Sequence, residues 1–117
     1  MFKIEESTIY LTRGDSALIK LTLYDANGDL YTPAPADKIR FAMKKRMSDA
    51  EAVLAEIEIP NDTMILEIQP EHTQELTYST SRPYKYDIEL TTASGRVDTF
   101  VADADIYILP EVDRYAE

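Results

Sequence analysis

At 117 residues the chain is long enough for one continuous hydrophobic core and too short for two, so a single domain over residues 1–117 is expected. Apolar residues make up 44% and charged residues 29%, a globular balance, and a formal charge of −10 argues against partners as anionic as nucleic acid or a membrane surface. The absence of cysteine excludes a disulfide framework, a thiolate nucleophile and Cys-ligated zinc.

The first residues, "MFKIEESTIY", carry acids where a signal peptide has its apolar run, and no apolar stretch reaches membrane-spanning length. Neither classical export nor membrane insertion is expected. Residues Met1 to Glu6 and Val112 to Glu117 read as arms that become ordered on a neighbour.

From there the chain alternates apolar and polar residues in short runs, the period of half-buried strands. In order these are "STIYLT"; "ALIKLTLY", with Ile19, Leu21 and Leu23 on one face; and "KIRFAMKK", with Ile39, Phe41 and Met43 inward and Arg40, Ala42 and Lys44 outward. Next come "VLAEIEI", with Val53, Ala55, Ile57 and Ile59 aligned, and "MILEI", with Met64, Leu66 and Ile68. The last third has "YKYDIEL", with Tyr84, Tyr86, Ile88 and Leu90, then "VDTFVA" and "DIYIL" as separate strands.

The turn chemistry falls between these runs: "RGDS", "DANGD", "PAPAD", "PND" and "TASGR". All six prolines lie between or beyond the strands, where a missing N–H costs no ladder bond. Asn27-Gly28 predicts a type I′ hairpin leading to a short strand at Leu30 and Tyr31. "SDAEAVLAE" begins like a capping box, but its clean alternation from Val53 favours a loop or single turn into a strand, and "PEHTQEL" predicts one short helical turn. About seven to nine short strands joined by turns describe an immunoglobulin-like antiparallel β-sandwich. In such sandwiches a tyrosine near the sixth strand bonds back to the chain, a role open to Tyr78 or Tyr84.

The motifs with a chemical look read better as scaffold. Arg13-Gly14-Asp15 is a strand connection rather than an integrin ligand. Asp25, Asn27 and Asp29 alternate like the start of a calcium loop, but Gly28 comes fourth and Ala36 stands where a bidentate Glu belongs. His72 is the single histidine, so histidine-pair metal sites are excluded, and its polar turn lacks the apolar wall that a catalytic triad needs. The carboxylate pairs Glu56/Glu58, Glu67/Glu71 and Asp103/Asp105 read as solvated surface among 22 acids. Neither enzymatic activity nor a cofactor or metal is expected.

One charge feature is uneven. Lys38, Arg40, Lys44, Lys45 and Arg46 put five of the twelve basic residues into "KIRFAMKKR". They form either the wet face of a strand or a protein-docking edge, which would meet an acidic surface such as Glu56, Glu58 and Glu67 on a neighbour.

The order of "LTRGDSALIKLTLYDANGDLYTPAPADKIRFAMKKR", "ILEIQPEHTQEL", "YKYDIELTTASGRVDTFV" and "DIYILPEV" resembles a group of small phage and prophage proteins of Gram-positive bacteria, and is similar to the N-terminal immunoglobulin-like domain of phage baseplate upper proteins. The shared elements are an LxRGD start, a D-x-x-G-x-x-Y hairpin, a D-x-[IV]-x-F-x-[MV]-K-[KR] strand, P-E-x-T before a turn and Y-x-Y-D-I-[EQ]-L. The resemblance implies a structural protein of a phage tail that docks onto other tail or baseplate proteins or onto copies of itself, in the virion tail and, during assembly, in the host cytoplasm. Those baseplate proteins continue into a coiled coil and a host-binding region, whereas this sequence stops at Glu117, so a receptor-binding role does not carry over. Two other readings remain open: an acidic inhibitor that mimics DNA charge, and a cell-wall glycan-binding module using Tyr10, Tyr24, Tyr31, Tyr78 or Tyr107.

Overall fold

A computed structural model of the chain describes residues 2–5, 8–25, 27–46, 52–77 and 82–110. It is all-β. The strands are β1 (Phe2–Glu5), β2 (Thr8–Thr12), β3 (Ala17–Lys20), β4 (Leu23–Tyr24), β5 (Leu30–Tyr31), β6 (Lys38–Lys44), β7 (Val53–Ile59), β8 (Ile65–Ile68), β9 (Tyr84–Thr91) and β10 (Val97–Leu109). A single 3-10 turn, Pro70–His72, is the one helical piece among the described residues.

Six strands form one sheet in the order β1-β2-β10-β9-β6-β7, while β3 pairs with β8 and β4 with β5. Alternation places the core. Ile39, Phe41 and Met43 of β6 and Tyr84, Tyr86, Ile88 and Leu90 of β9 are buried, as their period of two predicts. They pack with Ile9, Leu11, Ile106 and Ile108 from the same sheet, and Ala17, Ile19, Leu66 and Ile68 of the β3–β8 pair join the same cluster.

The sheet is mixed, which corrects the antiparallel expectation: β10 runs parallel to β2, with Tyr107 opposite Tyr10. Most of the domain separates these strands in sequence, so no tight turn imposes an antiparallel pairing on them. Their neighbouring rings stack at 5.2 Å with planes 6° apart.

Several boundaries differ from expectation. Phe2–Glu5 is no arm but an edge strand paired to β2, and the described residues form ten strands, several of them two to four residues long. "ALIKLTLY" divides at Leu21 and Thr22 into β3 and β4, although the Leu21 N–H still extends the β3–β8 ladder to the Met64 carbonyl at 2.8 Å. "VDTFVA" and "DIYIL" are one strand, because bulges absorb the polar middle and Asp103 takes a left-handed φ of 51°. Met64 lies just before β8 with φ 57°, outside the strand, yet it packs half-buried against the same core as Leu66 and Ile68. Ala42 points outward but is buried, since Glu56 and Asp87 flank so short a side chain, while Val53 is exposed at the start of β7.

The β4–β5 loop is not type I′. Gly28 has positive φ, 84°, but Asn27 does not; the Gly28 N–H reaches the Asp25 carbonyl, and the Asp25 N–H bonds to the Asp29 carbonyl, the pattern of a three-residue loop with a bulge. Tyr84 bonds back to the chain: its hydroxyl donates to the Thr77 carbonyl at 3.0 Å. Tyr78, Ser48–Glu51 and the expected arm from Val112 lie outside the described residues.

Candidate functional site

The strand bearing the basic residues is not an edge. β6 lies between β7 and β9, so its backbone groups are consumed on both sides and strand addition there is closed. Whatever the basic residues do, they do through side chains.

The five divide into two groups. On the sheet's outer face, Arg40 bridges the neighbouring strands, donating from Nη1 to Glu56 Oε2 at 2.9 Å and from Nη2 to Glu89 Oε1 at 2.5 Å. The hydrogen bond to Glu89 holds the guanidinium firmly charged. Glu56, expected to meet a basic strand on a neighbouring subunit, meets this one in its own chain. Glu58 stands across from Arg40 in the register, and Glu67 accepts from the Gln69 side-chain amide. Lys38 is exposed at the start of β6, opposite Thr91.

The second group gathers at the other end of β6. Lys44 sits opposite Lys85 of β9 and Val53 of β7, and the chain continues into exposed Lys45 and Arg46. Arg82, exposed just before β9, joins them. Lys45, Arg46, Arg82, Pro83, Lys85 and Asp103 line a hollow of about 360 Å³. Lys85 is held on one side by Asp105 and by Asp103 at 3.4 Å, and its hydrogen bond to Asp105 raises its pKa. The left-handed backbone at Asp103 belongs to the bulge that brings this carboxylate to Lys85. Val53 and Leu54, 45% and 40% exposed, flank the basic end with apolar surface.

Arg82 and Lys85 escape a reading of the sequence because they lie in "SRPYKY", far from "KIRFAMKKR". The signal that finds them is the antiparallel pairing of β6 with β9, which brings the end of one strand to the start of the other. Lys38 and Arg40 do not belong to this end.

The other motifs serve the scaffold. Thr12 to Asp15 form a turn closed by a 3.1 Å bond from the Asp15 N–H to the Thr12 carbonyl, with Gly14 at φ 81°. The Arg13 guanidinium donates to the Leu76 carbonyl at 3.1 Å, which ties its side chain to the neighbouring segment. Asp25 Oδ1 accepts the N–H groups of Asn27 and Asp29, the local role of an Asx turn. His72 Nδ1 accepts the Gln69 N–H at 2.8 Å.

No protein-family model matches the chain, and no curated protein matches it in sequence.

Proposed function

We propose that this chain is a non-enzymatic assembly protein of a phage or prophage tail, associated with the baseplate and built on an immunoglobulin-like sandwich. It works by protein–protein contact, and its basic end is the docking surface. The fold-level support is the β3–β8 pair sharing a core with the six-stranded sheet, together with the Tyr84 hydroxyl bonded back to Thr77. The phage assignment is supported by the order of the LxRGD, D-x-x-G-x-x-Y and Y-x-Y-D-I-[EQ]-L elements.

One observation carries the docking role: Lys44, Lys45, Arg46, Arg82 and Lys85 converge at one end of a chain of charge −10, beside exposed Val53 and Leu54. A basic patch rimmed by apolar side chains fits an acidic protein surface, either another tail protein or the acidic part of a second copy. Charge complementarity of this kind sets register and encounter rate more than affinity. Across the outer face, cations alternate with acids, in Glu56–Arg40–Glu89 and Lys85–Asp105, unlike the uniform acidity that a DNA-charge mimic presents.

Cross-linking mass spectrometry on purified particles tests the docking face. Links from Lys44, Lys45 or Lys85 to a neighbouring tail protein or a second copy support it. Links confined to Lys20 and Lys38 would move the contact elsewhere.

A further inference from the structure

At the opposite end of β6 and β9, ~20 Å from the basic end by strand rise, the β4–β5 hairpin meets the turn between β9 and β10. Between them lies a cleft of about 500 Å³ whose lining includes Tyr24, Tyr31, Phe100, Arg96 and Asp98. That volume is in the range of small-ligand sites.

Its aromatic wall is built in advance. The Tyr31 hydroxyl donates to Asp37 Oδ2 at 2.7 Å, and the same carboxylate oxygen accepts the Ala34 N–H at 2.9 Å. Asp37 is buried, and its hydrogen bond to Tyr31 raises the phenol's pKa, so the ring stays neutral and oriented. The Tyr31 and Phe100 ring centroids lie 5.4 Å apart, tilted by 46°. Tyr24 adds a third ring, 59% exposed. Arg96 and Asp98 supply a donor and an acceptor, 3.3 Å apart.

Ring faces beside a paired carboxylate and guanidinium suit one ligand chemistry: a molecule with an apolar C–H face and hydroxyls around its rim. We infer that this cleft binds a short neutral oligosaccharide. Tyr24 and the Tyr31–Phe100 wall take the sugar faces, Asp98 accepts from hydroxyls and Arg96 donates to them. Asp25 and Asp98 in the lining, on a chain of charge −10, disfavour uronic, sialylated or phosphorylated ligands. The site is independent of the docking proposal, since the two surfaces occupy opposite ends of the same strands and can be filled together.

The test is an amide NMR titration of the full chain with chitotetraose, cellotetraose and maltotetraose, with a heparin tetrasaccharide as the anionic control. The expected result is saturable shifts at Tyr31, Arg96 and Phe100 with at least one neutral sugar, at a Kd of about 1 mM or tighter. Tyr24→Ala and Asp98→Ala should each weaken that binding roughly tenfold while leaving the other resonances in place, and Lys45→Glu should leave it unchanged. Absence of saturable cleft shifts with all three neutral sugars, shifts that survive both variants, or preference for the heparin fragment would overturn the assignment.

Discussion

The backbone N–H of Gly14 donates to the side-chain oxygen of Thr73 at 2.8 Å, joining the turn after β2 to the segment after the Pro70–His72 turn. Thr73 is 1% exposed, and the Arg13 guanidinium adds a second link to the same segment at Leu76. The tripeptide Arg13-Gly14-Asp15 is thereby a joint between two loops. Thr73→Val keeps the shape and leaves the Gly14 N–H without its acceptor, so it should cost about 1–3 kcal/mol in urea unfolding. Thr73→Ser should recover most of that loss. Equal stability of the Val variant and the wild type would show that the bond contributes nothing.

Arg40 ties three strands together through Glu56 on β7 and Glu89 on β9. Its side chain is 38% exposed, so solvent discounts the pairs, and Arg40→Ala should cost about 1 kcal/mol. Without it the repulsion among Glu56, Asp87 and Glu89 is less well compensated, so the loss should shrink at high salt as that repulsion is screened. Denaturation midpoints at low and high ionic strength read this, with the slope m unchanged.

Asp87 runs the other way. Its Oδ1 is the one buried side-chain oxygen or nitrogen without a partner among the described residues, and desolvation, then repulsion from Glu89, raises its pKa despite Arg40 and Lys44. A carboxyl with a raised folded-state pKa destabilises the fold while ionised, and the penalty lifts as pH falls through that pKa. Asp87→Asn should therefore melt above the wild type at pH 7, and the gap should close on acidification. A constant gap from pH 7 to pH 4 would contradict this account.

Tyr86 is 4% exposed, and burial, aided by the Asp105 charge, pushes its phenol up to about 12. In the unfolded chain it ionises near 10, so the stabilisation is complete below that pH and is lost as pH rises toward the folded value. Tyr86→Phe should remove one late-titrating tyrosine from the ultraviolet titration and flatten the alkaline fall in stability.

Strand positions were readable from the sequence wherever one face is wet, because burial then writes a period of two. Tyr84 to Leu90 is the clearest case. The pattern fails where neighbours across the sheet decide exposure: Ala42 is covered by longer side chains on β7 and β9, and Val53 is left bare at the start of β7. Pairing order leaves no local trace, so the parallel β2–β10 contact, the central place of β6 and the meeting of Lys45 with Arg82 were not legible. The resemblance suggested a docking protein, and the strand order moved the proposed docking surface from a strand edge to a strand end.

Quantitative mass spectrometry of purified phage or tail particles from the encoding strain decides whether this chain is a tail component. A tail component is expected in fixed stoichiometry with the tail proteins. Presence of the chain in the infected-cell lysate together with its absence from the particles would contradict that role.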